Sequence, residues 1–296
     1  MAKSVEFLRD PSHVSSVTGT KWLPVCVAGA RSAGLVAEET RYYEGKSEWL
    51  CVFGVGDPSY SAARTKHLAK GGRVICWDIG YRGQRVVVNT SPEKTYTRVS
   101  IDHDHPRPLF LDRTVSDPSR WLQVVEPFRS DANSEGPVLV VGMGDKSHKH
   151  LNEYSWERRA LVLAQKRFPD RKIIYRPKPR SKHAEVPDEK NVVPWPNTVG
   201  GLIEEALRGV SLVICKHSNV AVDACIAGVP VECEDGAALW LYRHGSAPTV
   251  AQRLDFLHRL CWWQWRFFEM RAAWEFLLGV LDETRFVDRK SGQDLG

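Results

Sequence analysis

The chain has 296 residues, 43% of them hydrophobic and 26% charged, with a formal net charge of +5. That is enough apolar material for two modest packed domains, and it excludes a disordered or low-complexity chain. No apolar run is long enough to span a bilayer, and the first residues lack the apolar core of a signal peptide, so a cytoplasmic protein without membrane insertion is expected.

In chain order, residues 21–28 and 48–55 read as strands. The second runs into Gly56-Asp57-Pro58-Ser59, and residues 59–70 read as a helix closed by Gly71-Gly72. Residues 73–78 form the next strand, ending on Asp78. The alternation at 84–89 and 95–101 suggests an antiparallel excursion. Residues 129–136, rich in turn formers, read as a linker. The strand–helix pattern then restarts. Strand 138–141 ends in Gly142-Met143-Gly144, followed by helix 154–167, strands 171–175 and 191–193, and helix 199–208. Residues 249–281 carry an aromatic stripe at helical spacing, and 287–296 read as a loose tail. Long crossovers between strands imply parallel sheets with helices on both faces. The seven cysteines include no CxxC pair and fall mostly in apolar runs, which suits buried reduced thiols.

Residues 211–232 carry the most information. An apolar run is followed by Lys216-His217-Ser218-Asn219, a helical run 220–227 closed by Gly228, and a second apolar run after Pro230. The turn sets Ser218 and Asn219 at a helix start, where open N–H groups and the helix dipole favour an anion. Asp223 lies one turn further on, placed to meet a ribose. Upstream, Pro177 and Pro179 stiffen a turn that presents Arg176 and Lys178, a pairing suited to a diphosphate or to a surface salt bridge. Gly142 and Gly144 either approach phosphate or form a tight turn; the Walker A spacing is absent. Asp235, followed by Gly236, either holds a sugar hydroxyl or caps a helix. The Asp102-His103-Asp104-His105 and His148-Lys149-His150 clusters lack three or four ligands at a known metal spacing, so no metal site is expected. Trp77, Trp156, Trp195 and Trp240 lie near loops where an indole could stack on a sugar or base, although most tryptophans should be core.

The run His217-Ser218-Asn219 with Asp223 and Ala227-Gly228-Val229-Pro230 resembles the donor-site helix of GT-B glycosyltransferases, including capsule-type transferases and the sugar 2-epimerases. Residues 173–179 resemble the Pro-rich segment that precedes this helix in the capsule-type enzymes, with Lys178 where those carry a His. Asp78-Ile79-Gly80-Tyr81 resembles a segment of phage and bacterial proteins. The resemblance implies a GT-B-like α/β fold: two Rossmann-like domains with a cleft between them and a C-terminal crossover helix. The expected divisions are 1–128 for the acceptor, 137–250 for the nucleotide sugar, and 251–296 packing back. In that scheme Arg176, Lys178, Ser218, Asn219, Gly142 and Gly144 contact the donor phosphates. Lys216, His217, Asp223, Asp235 and Gly236 contact its nucleoside or sugar. Asp78, with Asp57 as the other choice, is the catalytic base. No cofactor is expected beyond the nucleotide-sugar co-substrate. The expected acceptor is a hydroxymethyl pyrimidine in DNA of phage type, suggested by the basic charge and the tryptophans, which would place the protein in a host cytoplasm. A surface saccharide is the second choice, and a non-catalytic nucleotide or nucleic-acid binding module the third.

Overall fold

The computed structural model describes residues 3–9, 21–54, 58–81, 96–124, 128–178, 192–194 and 203–291. The chain divides into two compact units, Met1–Arg120 with Arg259–Gly296, and Trp121–His258. Both are α/β with largely parallel sheets, the class expected from the alternating strand and helix signals.

The first unit begins with β1 (Ser4–Leu8), α1 (Leu23–Ser32), β2 (Val36–Thr40), β3 (Trp49–Phe53), α2 (Pro58–Ala69), β4 (Arg73–Ile79), β5 (Thr97–Ile101) and α3 (Pro108–Arg113), and α4 (Pro118–Val124) follows. Strand β1, which pairs with β2 and β3, is absent from the sequence reading. Its Glu6 breaks the apolar run, yet this side chain is 2% exposed. The carboxylate is satisfied by the Glu44 and Gly45 amides at 2.7 and 2.9 Å and by the Thr40 hydroxyl at 3.1 Å. A buried acid is tolerated where its oxygens are bonded.

The reading of 21–28 as a strand is corrected: Leu23–Ser32 is helical. Leu23, Cys26, Val27, Gly29 and Ala30 are its buried residues, a three-four spacing that the short apolar run disguised. Gly29 lets this helix lie close to the C-terminal segment, since a Cβ there would sit 2.6 Å from Met270 Cβ.

The second unit contains β6 (Val138–Val141), α5 (Asp145–Leu151), α6 (Trp156–Arg167), β7 (Ile173–Arg176), β8 (Val192–Pro194), α7 (Ile203–Leu207), β9 (Leu212–Cys215), α8 (Val220–Ala227), β10 (Val231–Cys233) and α9 (Leu239–Tyr242), with α10 (Val250–Leu260) after them. Its five strands run in the order β10-β9-β6-β7-β8, each neighbouring pair parallel. The chain therefore proceeds from β6 in one direction to β8, then returns to the other side of β6 for β9 and β10. The order reverses between β6 and β9, which is where open parallel sheets bind ligands. Residues 129–136 are bonded into this unit: the Arg129 and Asp131 amides donate to the Ile226 and Ala227 carbonyls at 3.0 and 2.7 Å.

The aromatic stretch 249–281 is not one helix. After α10 come a 3-10 turn (Cys261–Trp263), β11 (Gln264–Trp265), a second 3-10 turn (Phe267–Glu269) and α11 (Met270–Ser291). The break has a cause outside the segment. β11 pairs antiparallel with β5, completing the first unit's sheet, β11-β5-β4-β3-β1-β2. Arg120 holds the carbonyls of Cys261 and Gln264 at 3.1 and 2.8 Å, pairs with Glu269, and stacks 3.9 Å above Trp265. α11 then packs along α1 and inserts Trp274 among Phe7, Trp49 and Trp77. The expectation of a loose tail over 287–296 is corrected as far as Ser291, which is helical; the remainder lies outside the described residues.

The α1–α11 contact leaves no room for a side chain at Gly29. Gly29→Val should destabilise the protein by about 2 kcal/mol or more through overpacking. Gly279→Ala, where a Cβ meets nothing within 4 Å, should be neutral or stabilising by up to about 1 kcal/mol. Urea unfolding followed by tryptophan fluorescence checks both, and a Gly29→Val protein as stable as the parent would contradict the packing.

Candidate functional site

The candidate site lies at the carboxyl ends of β6, β7, β9 and β10, all within the second unit. β6 pairs with β9 in the register Val141↔Cys215 and with β7 in the register Val141↔Arg176. The segments that follow these strands are therefore neighbours. The Gly142 amide donates to the Arg176 carbonyl at 3.0 Å. A Cβ on Gly144 would lie 3.6 Å from Lys178 Cδ, so the lysine stem runs along a glycine backbone that offers it no obstruction. Gly142, Gly144, Arg176 and Lys178 thus form one side of the β6/β9 reversal.

The other side is the 216–219 turn with residues 234–236. The Ser218 hydroxyl accepts the Val220 amide at 3.3 Å, and the Ser218 carbonyl accepts the Ala221 amide, so the start of α8 is partly closed by its own turn. α8 spans Val220–Ala227 and ends on Gly228 in the left-handed conformation, the bounds read from the sequence. The Lys216 carbonyl accepts both the Glu234 and Asp235 amides, at 3.0 and 2.8 Å. Gly236, at φ +97°, packs its backbone on His217, whose carbonyl oxygen would be 3.2 Å from an added Cβ. Lys216, His217, Asp235 and Gly236 are therefore one cluster. Asp223 is placed differently from its neighbours in the motif: it is 2% exposed, inside the first turn of α8.

Lys216 does not stand alone at the site. Its ammonium lies 2.9 Å from Glu153 and 2.5 Å from Glu234, and Glu234 also accepts Trp156 Nε1 at 2.7 Å. Burial disfavours the Lys216 ammonium, but the bonds and charges of Glu234 and Glu153 outweigh it and hold its pKa above the ordinary value. The hydrogen bond from Lys216, ahead of opposing burial and a bond from Arg159, holds the Glu153 carboxyl below its ordinary value. Sequence reasoning passed over Glu153. Its role depends on a partner 63 positions away (216 − 153), and no local pattern marks such a pairing.

A second buried group lies beneath the glycine loop. Glu157, 4% exposed, accepts the Met143 amide and His148 Nε2, both at 2.8 Å. This accounts for the His148-Lys149-His150 cluster: His148 is fully buried and bonded to Glu157 rather than facing outward. Tyr175 is also close, and a Cβ on Gly142 would lie 2.8 Å from its hydroxyl. Burial, then the Glu157 charge, pushes the Tyr175 phenol well up. On the α6 side of β9 and β10 runs a groove of about 670 Å³, lined by Trp156, Leu163, Cys215, Cys233 and Tyr242 among others.

In the first unit, Asp78 is the penultimate residue of β4. Its Oδ2 pairs with Arg98 at 2.9 Å and its Oδ1 accepts the Ile79 amide at 2.7 Å, with 28% of the side chain exposed. Asp57 lies outside the described residues. The 102–105 cluster is engaged in structural contacts: Asp102 with Arg73, Asp104 with Arg64 and His105 with Tyr81. Among the described residues no three His, Cys, Asp or Glu side chains gather as a metal-binding group. Trp77 and Trp156 are buried in the cores of their units, Trp240 stacks on Phe256, and Trp195 lies outside the described residues. Six of the cysteines are buried and Cys233 is half-buried, all of them free thiols.

The Lys216 clamp makes stability depend on pH in two directions. The contribution of Glu153 is complete above its ordinary 4.5 and is lost as pH falls through its lowered folded value. That of Lys216 is complete below its ordinary 10.5 and is lost as pH rises through its raised folded value. Thermal midpoints across pH should therefore show an acid limb that Glu153→Gln blunts, while Lys216→Met blunts both limbs. An unchanged acid limb in Glu153→Gln would remove Glu153 from the clamp.

No family model and no curated protein matches the chain. Among solved structures it is similar to the beta Kdo 2,4 transferase of KpsC from Thermosulfurimonas dismutans, at 12% identity over 87% of this chain and 90% of that one, with a TM-score of 0.49. It is also similar to the beta Kdo 2,7 transferase of KpsC from the same organism, at 13% identity over 93% and 99%, TM-score 0.47. The spinosyn rhamnosyltransferase SpnG follows at 12% identity over 95% of each chain, TM-score 0.33. Likenesses of this degree assign no activity to this chain.

Proposed function

We propose that the second unit binds a nucleotide-activated sugar and that the protein is a GT-B-type glycosyltransferase. The observation that carries this reading is the meeting of Gly142, Gly144, Arg176 and Lys178 with the start of α8 at the β6/β9 reversal of a wholly parallel sheet. Gly142 makes room for Tyr175, and Gly144 lets the Lys178 stem run along its backbone. Arg176 offers a planar fork to a diphosphate and Lys178 a point charge. Their attraction grows as negative charge collects on the departing diphosphate, so they stabilise the transition state more than the bound donor. Ser218 and Asn219 present the positive end of α8 to the same phosphates. Asp235 and Gly236, joined to the 216–219 turn, fall beside the donor sugar, with Lys216 and His217 shaping that wall. Asp223 lies under the ribose position. No separate cofactor enters this scheme.

On the acceptor side, Asp78 is the proposed base, with its carboxylate oriented by Arg98 and the Ile79 amide. We favour a saccharide hydroxyl as acceptor over a hydroxymethyl pyrimidine in DNA. Two of the tryptophans that a flipped base would use, Trp77 and Trp156, are core residues. Arg167, in the basic stretch, pairs with Glu232 at 2.6 Å. A surface polymer such as a capsule chain is the acceptor class this leaves.

Calorimetry with UDP, dTDP, GDP and CMP should find one nucleotide that binds. Arg176→Ala/Lys178→Ala should lower turnover by roughly 10²-fold or more. Asp223→Ala should weaken nucleotide binding while leaving the fold intact. Failure of the whole nucleotide panel would refute the donor site. Asp78→Asn should abolish transfer and spare nucleotide binding, and full activity in that variant would move the base elsewhere. Oligosaccharides and hydroxymethylated duplexes, each offered with mixed nucleotide sugars and then weighed by mass spectrometry, decide the acceptor. A sugar adduct on the duplex alone would reinstate DNA.

A further inference from the structure

Glu157 has no part in the scheme above, and its placement demands a reason. It lies on the buried stripe of α6, with Leu161 and Ala164 at helical spacing, where an apolar residue is the ordinary choice. It is 4% exposed. One oxygen, Oε1, accepts both the Met143 amide and His148 Nε2 at 2.8 Å. The other, Oε2, is buried with no hydrogen-bond partner among the described residues. A carboxylate so placed costs free energy that an apolar side chain would not, so something other than stability accounts for it. Among the described residues its side-chain bonds reach two places: the peptide between Gly142 and Gly144, and the helix that follows.

We propose that Glu157 is a positioning residue for the glycine loop. By drawing the Met143 amide inward it fixes a backbone that has a glycine on each side and would otherwise sample many conformations. Met143 is 5% exposed, so its side chain secures the same turn from within the core. The stem of Lys178 lies against Gly144, so a displaced loop displaces the cation as well. Glu157 thus sets the loop and Lys178 in register for an incoming phosphate before any ligand arrives, and lowers the ordering cost of binding. His148 shares Oε1 and ties α5 to the same point. This inference rests on the nucleotide-binding reading of the site.

The test uses the full chain and two independent readouts. In ligand-free protein, hydrogen exchange at residues 142–144 should be at least about tenfold faster in Glu157→Ala than in the parent, with β9 unchanged. UDP, dTDP, GDP and CMP are then titrated into each variant. The nucleotide that binds the parent should bind Glu157→Ala at least about tenfold more weakly. Glu157→Gln keeps a carbonyl acceptor for the Met143 amide and should stay within about threefold of the parent in both readouts. Glu157→Asp keeps the charge but withdraws the acceptor. It should behave like Glu157→Ala, and it carries the test if the alanine variant does not fold. Parental exchange and affinity in Glu157→Ala or Glu157→Asp would overturn the proposal, as would a glutamine variant as damaged as alanine. If the parent binds none of the four nucleotides, the donor-site reading fails on its own, and the exchange readout still decides whether Glu157 holds the loop.

Discussion

The carboxyl end of the second sheet depends on one lysine. Lys216 binds Glu153 and Glu234 through its side chain, and its carbonyl holds the amides of residues 234 and 235. Three segments distant in sequence meet on this residue: the α5–α6 junction, the end of β9 and the end of β10. Trp156 adds a bond from its indole to Glu234. The loops at this end carry amides that strand pairing leaves open, and nothing in the sheet itself dictates their path. A cation between two carboxylates, Glu153 half-buried and Glu234 exposed, supplies that direction. The Lys216–Glu153 arm, with both side chains largely shielded, is worth more than a pair on an open surface. The start of α8 inherits its position from this clamp.

The same arrangement explains which parts of the fold were readable in the sequence. α8 was placed to the residue because its signals are local: an apolar strand, a polar turn, a closing glycine and then Val-Pro. Strands β3, β4, β6 and β9 were found for the same reason. β1 was missed because its buried Glu6 is satisfied by residues 40–45, so an acid stands where the pattern calls for an apolar residue. α1 was misread as a strand because Val25, Cys26 and Val27 favour strands, and the contact with α11 that makes the segment helical comes from more than 200 residues away. The break in the C-terminal aromatic stretch was invisible for a related reason. Its cause is Arg120, whose guanidinium takes two carbonyls that a continuous helix would have kept.

The candidate site divides along the same line. Gly142, Gly144, Arg176, Lys178 and the 216–219 turn were identified one by one as residues that follow strands. Parallel pairing then brings residues at equivalent strand ends together, so their convergence follows from topology. The carboxylates that hold them were not identified. Glu153 has no local mark. Glu157 has one, an acid on the same helical stripe as Leu161 and Ala164, but the segment 154–167 is read only as a helix, without its buried face. The tryptophans show the opposite error. Trp77 stands near a polar turn in the sequence, but β4 is buried on both faces from Val74 to Trp77, so the indole lies in the core.

The local charge balance constrains what this site can bind. Glu153, Glu157, Asp223, Glu234 and Asp235 all lie near the strand ends, an excess of acid beside a region read as an anion site. Two of these acids are matched by Lys216, and Glu157 is matched by the Met143 amide and His148. The attraction for a phosphate therefore falls to Arg176, Lys178 and the helix start, a short-range set rather than a broad basic field. Exposed charges are screened beyond about 8 Å at physiological ionic strength, and these groups act within that distance. A small diphosphate, held by few cations and by backbone donors, should lose little affinity to salt. A polyanion needs a long run of cations, and loses about 0.9 log units of affinity per log unit of salt for each phosphate neutralised. A few cations and a helix start, with the neighbouring acids buried or paired, suit the compact charged donor proposed for this site.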